Sequence, residues 1–249
     1  MEHGGKAVYG ASVGILMLEA RFPRIPGDIG NALTWPFPVQ YRVVAGASPD
    51  RVVRHQAEGM TEAFIAAAKD LVAAGVDGIT TNCGFLSLIQ DHVAAAVSVP
   101  VATSSLMQVS MVQTLLPPGQ QVGILTISEA TLTDDHLRAA HAPLDTPVVG
   151  TDGGREFTRA ILDDNPKIDF AACRQDLLDS AARLVTEHER LGAIILECTN
   201  MVPYAADIRK HTGLPVYSMY SFVTWFQSGL MPRRFPLELD DPRSSSSDR

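Results

Sequence analysis

The sequence has no long apolar run and few cysteines, and each shortage excludes a class of protein. No apolar stretch approaches the roughly 20 residues that a helix needs to cross a bilayer, and the N-terminus lacks the basic start and apolar core of a secretory signal. We therefore expect a cytoplasmic protein. The three cysteines include no Cys-x-x-Cys pair, which argues against a disulfide framework and against a thiolate zinc site.

Nucleotide and metal motifs are also absent. The chain has no P-loop and no Gly-x-Gly-x-x-Gly run, and its seven histidines follow no metal-binding spacing. We expect no cofactor and no metal. The net charge of −8 is spread along the chain, and a diffuse negative field disfavours nucleic acid and anionic membranes as partners. It also attracts no anion from a distance, so local groups must hold any carboxylate substrate.

What is present is an alternation of short β-branched runs and Ala-rich stretches, which predicts parallel strands joined by crossover helices. The predicted strands lie near Val13–Leu18, Val39–Val44, Gly78–Asn82, Val99–Thr103, Val122–Thr126, Pro147–Gly150, Ala193–Glu197 and Val216–Ser218. The predicted helices lie near Pro49–Ala74, Leu86–Val97, Leu106–Leu115, Glu129–His141, Phe170–Leu191, Tyr204–Thr212 and Ser221–Gly229. The connection Glu19–Pro38 is rich in Gly and Pro, and is predicted to be a lid or a binding loop.

Three short patterns occur twice, in the same order and roughly 110 residues apart. They are Val-Gly-Ile-Leu at Val13–Leu16 and Val122–Leu125, a Gly-containing strand ending in Cys at Gly75–Cys83 and Gly192–Cys198, and Pro-Val at Pro100–Val101 and Pro215–Val216. We therefore predict an α/β fold of two pseudo-symmetric, flavodoxin-like lobes, each a four-stranded parallel sheet flanked by helices, with the active site in the cleft between them. The predicted lobes are residues 1–116 and 117–236, followed by a disordered tail at residues 237–249.

Cys83 and Cys198 occupy matching places in this repeat. Each ends a buried strand just before a helix start, where unpaired backbone amides favour a thiolate and can hold a carboxylate. A single buried cysteine is more often a packing residue, and Cys173, in the middle of a predicted helix, is interpreted in that way. The matched pair differs because polar residues adjoin both sulfurs: Asn82, Thr199 and Asn200.

At Thr81-Asn82-Cys83-Gly84 and Glu197-Cys198-Thr199-Asn200 the sequence resembles the aspartate/glutamate/hydantoin racemase superfamily. The resemblance implies that Cys83 and Cys198 are the two catalytic thiols of an enzyme without a cofactor, which moves a proton at the carbon next to a carboxylate. It also implies a homo-oligomer, because racemase-like proteins often form dimers. The residues beside the thiols would bind the substrate: Asn82, Gly84, Phe85, Thr199 and Asn200.

Further marks narrow the branch: Ile25–Gly30, Tyr41–Gly46 and Pro203-Tyr204. With them the sequence looks like the branch that includes the algal dimethylsulfoniopropionate lyases and many bacterial proteins labelled racemase. The leading hypothesis is a racemase or epimerase of a small amino acid or related carboxylate. The alternatives are a lyase that takes the α-proton and expels dimethyl sulfide from the β-carbon, and a two-lobed ligand-binding protein without chemistry.

Several more residues are candidates for binding the substrate, and each has a structural alternative. Asp28, in the long loop, could recognise an amino or sulfonium group, or cap a turn. Arg21 could pair with a second carboxylate, or lie solvated on the surface. Tyr41 lies on a strand whose successive side chains face opposite sides, so it need not face the cleft. Ser104 and Ser105, at the end of the fourth strand, could bind a carboxylate or cap a helix.

Overall fold

The computed structural model describes residues 4–235, and the tail predicted at residues 237–249 lies outside them. The strands are β1 Val13–Leu18, β2 Val39–Val44, β3 Gly78–Thr81, β4 Val101–Ala102, β5 Gln121–Thr126, β6 Val148–Gly150, β7 Leu191–Leu196 and β8 Val216–Tyr217. The helices are α1 Pro49–Val53, α2 Thr61–Ala74, α3 Gln90–Ala96, α4 Val109–Leu115, α5 Asp134–Ala139, α6 Phe157–Leu162, α7 Phe170–Glu187, α8 Ala205–Thr212 and α9 Met219–Leu230.

The strands form two four-stranded sheets in which neighbouring strands run parallel. The strand orders are β2-β1-β3-β4 and β6-β5-β7-β8, so the second half repeats the topology of the first. Inner strands such as β1 and β7 are buried along their whole length, which explains why they are unbroken apolar runs rather than alternating ones. The predicted α/β fold with two four-stranded parallel sheets flanked by helices is confirmed.

Each half covers the sheet of the other half with a helix. Val112 of α4, which follows the first sheet in sequence, packs in one apolar cluster with Ile124 of the second sheet. In the same way, Phe222 of α9 packs in a cluster with Ile15 of the first sheet. The predicted boundary between residues 116 and 117 therefore separates the two sheets but not the helices that cover them.

The predicted helix Pro49–Ala74 is wrong, because the chain breaks there into α1 and α2. Gln56 and Ala57 have positive φ values of 52° and 53°, and Gly59 has a φ of 70°. These left-handed conformations cannot continue an α-helix. Helix α6 was not predicted, and 3-10 helices precede α3, α4 and α8 at Gly84–Ile89, Ser105–Gln108 and Thr199–Tyr204.

The loop between β1 and β2 contains one short 3-10 helix, Ala32–Thr34, and is otherwise irregular. Within residues 4–235 no helix combines the length and the apolar character that a bilayer span requires. The cytoplasmic location, the homo-oligomeric state and the absence of nucleic-acid and membrane partners stay predictions.

Replacing Gly78, on β3, by Ala tests the packing of α9 against the first sheet. An added Cβ at Gly78 would lie 2.5 Å from Leu230 Cδ1 and 2.7 Å from Phe226 Cζ, both on α9. We expect Gly78→Ala to lower the free energy of unfolding by about 1–3 kcal/mol through overpacking. The control is Gly229→Ala. Gly229 lies on α9 and an added Cβ there would have nothing within 4 Å, so this variant should lose no stability. Urea denaturation of both variants measures the difference, and equal stability would contradict the packing of α9 described here.

Candidate active site

The two cysteines lie at equivalent strand ends of the two sheets. Cys83 follows β3 and Cys198 follows β7, in each case after one intervening residue. The strands β3 and β7 hold the same place in their sheets. A 3-10 helix begins directly after each cysteine. Both cysteines line one small cavity, so the two copies of the repeated pattern meet in space.

The cavity between the cysteines is closed. Its volume is about 20 Å³, which holds about one water molecule and is far too small for a carboxylate substrate. Its walls are mainly apolar: Leu18, Phe22, Val53, Ile127, Ile161 and Leu162. Four polar side chains complete the lining: Arg24, Asn82, Glu197 and Asn200. A wall must therefore move before a substrate can reach the sulfurs.

The closed site disfavours the thiolate form of both sulfurs. Burial is the largest cause of the raised pKa of the Cys83 thiol, followed by the charge of Glu197, and the same two causes raise the pKa of Cys198. The amides of Phe85 and Leu86 act in the opposite direction on Cys83. The sequence predicted that helix-start amides would favour thiolates. Such amides are present, but the loss of hydration outweighs them.

A buried arginine lines this cavity and was not predicted. Arg24, whose side chain is 12% exposed, donates from Nη1 to Asp28 Oδ1 at 2.8 Å. Its guanidinium also lies 4.4 Å above the ring of Phe22. In the described part of the chain no other side chain or carbonyl accepts a hydrogen bond from Arg24, although a guanidinium has five N–H donors. Arg24 therefore has donors left for a carboxylate.

Asp28 organises the loop and leaves little capacity for a substrate. Besides Arg24, it accepts hydrogen bonds from the Gly30 amide at 2.8 Å and from Asn200 Nδ2 at 2.6 Å. Asn200 Oδ1 in turn accepts a hydrogen bond from Cys198 Sγ at 3.5 Å. The structure thus places Asp28 behind Arg24 and Asn200, and not among the residues that line the cavity of the two thiols.

Glu197 is a fully buried carboxyl group beside both thiols. Its Oε2 accepts a hydrogen bond from Thr126 Oγ1 at 2.8 Å, and the amide of Ile127 also donates to this carboxyl. Its Oε1 has no partner among residues 4–235 and lies against Gly84, where an added Cβ would overlap it. Burial raises the pKa of Glu197 to about 7, so this group changes charge near neutral pH.

Two residues predicted to bind substrate instead connect the two halves. Thr199 Oγ1 donates to the carbonyl oxygen of Asn82 at 2.5 Å. Ser105 Oγ donates to the carbonyl oxygen of Leu196 at 2.7 Å. Both hydroxyls are buried and engaged, so they hold the cysteine-bearing strand ends together and do not line the cavity.

The structure places four other predicted residues outside the cavity. Arg21 is 81% exposed and pairs with Asp164. The rest are engaged in packing or local hydrogen bonds. Phe85 packs edge-on against His136 at 4.8 Å, Ser104 Oγ accepts the amide of Leu106, and Tyr41 donates to the carbonyl oxygen of Ile29. Of the predicted binding residues, Asn82 and Asn200 do line the cavity, and Gly84 lies beside it against Glu197.

Asp164 straps the long loop to the second half of the molecule. Its Oδ1 accepts the backbone amides of Arg21 and Phe22 at 2.5 Å and 3.1 Å. Phe22 forms part of the cavity wall. The strap therefore holds one wall of the thiol cavity in place, and we expect the loop of residues 19–38 to be the element that moves when the cavity opens.

Comparisons with known proteins identify similar sequences and similar folds. No protein-family model matches the chain. The chain is similar to a dimethylsulfoniopropionate lyase from Durusdinium sp. clade D, with 26% identity over 249 residues that cover 96% of this chain and 78% of that protein. In the part of the chain that the structure describes, no group of three His, Cys, Asp or Glu side chains is arranged to hold a metal ion.

Two solved structures share the fold. A variant of arylmalonate decarboxylase has a TM-score of 0.57 and 16% identity, over 88% of this chain and 92% of that one. Glutamate racemase from Bacillus anthracis has a TM-score of 0.56 and 15% identity, over 88% of this chain and 82% of that one. The chain thus shares its fold with a glutamate racemase and an arylmalonate decarboxylase and is similar in sequence to a dimethylsulfoniopropionate lyase, as the sequence resemblance led us to expect.

Loosening the strap should expose the cavity. Asp164 has a φ of 51°, a conformation that Gly adopts without strain, so Asp164→Gly removes the acceptor without a new backbone cost. We expect Cys83 to react with iodoacetamide several-fold faster in this variant, measured by peptide mass spectrometry. Asp164→Asn keeps an oxygen for the two amides and should react nearly as the parent protein does. Equal rates in all three proteins would show that the strap does not control access.

Proposed function

We propose, from the shared fold and from the similarity to dimethylsulfoniopropionate lyases, that this protein is a cofactor-independent racemase or epimerase of a small amino acid or related carboxylate. It abstracts a proton from the carbon next to the carboxylate. The observation that carries the proposal is that Cys83 and Cys198 line one cavity from equivalent strand ends. A base and an acid on opposite sides of one carbon are what inversion requires.

The hydrogen bonds of the two sulfurs assign their roles. Cys83 Sγ receives the amides of Phe85 and Leu86, and two N–H donors stabilise a thiolate. Cys198 Sγ receives one backbone amide, that of Asn200, and donates to Asn200 Oδ1, a bond that only the protonated thiol makes. Cys83 as thiolate therefore removes the α-proton, and Cys198 as thiol delivers its own proton to the opposite face. The turnover ends with Cys83 protonated and Cys198 as thiolate.

The substrate carboxylate needs a donor, because its charge grows when the α-proton leaves. Arg24 is the cation that lines the cavity and has unused donors. A preorganised donor of this kind contributes about 3–4 kcal/mol to stabilising developing charge. We assign the binding of this carboxylate to Arg24, whereas the sequence analysis considered Arg21 only for a second carboxylate.

A dimethylsulfoniopropionate-type lyase is the second candidate, and two observations favour it. The similarity to the lyase of Durusdinium covers nearly the whole chain. The cavity walls are mainly apolar, which suits the methyl groups of a sulfonium. In this reaction the cysteine base takes the α-proton, the bond between the β-carbon and sulfur breaks, and its electron pair leaves with dimethyl sulfide, so acrylate remains.

Removing either thiol tests both reactions. We expect Cys83→Ala and Cys198→Ala each to lower turnover by about 10²–10⁴-fold, the usual contribution of a positioned acid or base. Deuterium wash-in at the α-carbon of candidate amino acids reports racemisation, and headspace dimethyl sulfide reports elimination. The control is Cys173→Ala, since Cys173 lies on α7 and away from the cavity. Full turnover in both alanine variants would refute the proposed chemistry and favour a ligand-binding protein.

Replacing Arg24 tests the carboxylate anchor. A hydrogen bond to a charged group contributes about 1.5–3 kcal/mol, so Arg24→Gln should raise KM by roughly tenfold or more. Arg21→Gln, at an exposed position, should leave KM unchanged. Steady-state kinetics with the substrate found above measures both. A change in KM confined to the Arg21 variant would contradict the assignment of the carboxylate anchor to Arg24.

A further inference from the structure

The two halves differ in chemistry at the residue before each cysteine. In the first half Asn82 Oδ1 accepts the amide of Leu18, the last residue of β1, at 2.7 Å. In the second half the Glu197 carboxyl accepts the amide of Ile127, just after the equivalent strand β5. In both halves the side chain before the cysteine accepts a hydrogen bond from a backbone N–H at the end of the first strand of that sheet. That side chain is a neutral carboxamide in the first half and an ionisable carboxyl group in the second.

The surroundings of Glu197 favour its neutral form. Thr126 and Ile127 satisfy one side of the carboxyl, whereas Oε1 is buried against Gly84 without a partner among residues 4–235. A bare buried carboxylate oxygen is costly. The charged and titratable groups that share the cavity or act on its thiols are Cys83, Cys198, Arg24 and Asp28. Among the described residues Arg24 donates to Asp28 and makes no hydrogen bond to Glu197, so no cation is paired with this carboxyl.

We propose that Glu197 is a proton-holding residue of this site: as a neutral acid it leaves the two thiols able to ionise, and as a carboxylate it opposes their ionisation. The reason is the charge that the three groups share. Ionised Glu197 raises the pKa of both Cys83 and Cys198, and poor screening in the closed cavity makes a second negative charge expensive. As a statement about catalysis this rests on the proposed function, whereas the ionisation itself can be measured without any substrate.

The sign of the pH effect follows. Burial raises the pKa of Glu197 to about 7, so the group is largely neutral at pH 5.5 and largely ionised at pH 8.5. Rising pH has two opposite effects on the thiols. It removes their protons directly, and it ionises Glu197, whose negative charge raises the pKa of both thiols. Replacing Glu197 by Gln removes the second effect and keeps the size and shape of the side chain.

Infrared spectroscopy measures the proton directly. The unaltered protein should show a protonated-carboxyl C=O band at pH 5.5 that fades as the pH rises through about 7. The band should be missing in Glu197→Gln and kept in the matched control Glu129→Gln, whose carboxylate is half exposed and paired with Arg183. A spectrum without a titrating band near pH 7, or a band that survives in Glu197→Gln, would overturn the proposal. The titration of the unaltered protein needs no variant to fold.

Thiol alkylation measures the coupling. At pH 5.5 the iodoacetamide rates of Cys83 and Cys198 should be alike in the parent protein and in Glu197→Gln. At pH 8.5 the variant should react roughly tenfold faster, as expected for a thiol pKa lower by about one unit. Cys173 serves as an internal control, since its raised pKa comes from burial, Glu156, Asp176 and Asp169, and not from Glu197. A rate ratio that does not change with pH would overturn the coupling.

These outcomes separate the inference from the function it deepens. If the alanine variants of the cysteines retain turnover while the carboxyl band and the alkylation ratio behave as stated, the proposed reaction fails and the proton-holding role stands. If the thiols prove essential but no proton is found on Glu197, the reaction stands and this inference fails.

Discussion

The chemistry of this molecule depends on the exclusion of water from the place where its two sheets meet. Cys83, Cys198 and Glu197 share a cavity with room for about one water molecule, and burial is the leading cause of the raised pKa of each. Where charge is poorly screened, one negative charge makes the next one expensive. The proposed reaction therefore requires that the site carry no more than one negative charge at a time, and hydrogen bonds favour the group that carries it.

The two halves are tied together at the strand ends that carry the cysteines. The bonds from Thr199 to Asn82 and from Ser105 to Leu196 join the cysteine-bearing strand ends, and α4 and α9 are exchanged between the sheets. Separating the halves would break all of these contacts at once. Moving the loop of residues 19–38 breaks fewer, since Asp164 and Asn200 are its main polar anchors in the second half. We therefore expect movement of this loop, rather than separation of the two halves, to control access to the thiol cavity.

The sequence predicted the two sheets and the two cysteines, but it did not predict Arg24 and Glu197 beside them, for physical reasons. The predicted β1 and β2 match the structure residue for residue. Strand β1 is the unbroken apolar run expected of an inner parallel strand, and β2 has polar residues at the alternate positions Gln40 and Arg42, as expected of a partly exposed edge strand. The break at Gln56 and Ala57 was missed because neither residue demands a positive φ. Arg24 was missed because its place depends on a long-range contact, 172 residues apart in sequence, between Asp28 and Asn200. Glu197 could have been found by comparing the two copies of the repeat, because it precedes Cys198 at the position that Asn82 occupies before Cys83.

The difference between Asn82 and Glu197, at equivalent positions of the two halves, affects which reaction this fold can support. A racemase must work in both directions, so its two thiols must exchange the roles of base and acid at similar cost. Here two amides donate to Cys83, whereas one amide donates to Cys198 and the Cys198 thiol itself donates to Asn200 Oδ1. These differences favour the thiolate on Cys83 and the thiol on Cys198. A one-way elimination needs only that first arrangement, while racemisation must also pass through the reverse one, with a thiolate on Cys198 next to an acid that has to stay protonated. The protonation state of Glu197 therefore weighs more heavily on inversion than on elimination, and the two candidate reactions differ in how strongly they depend on it.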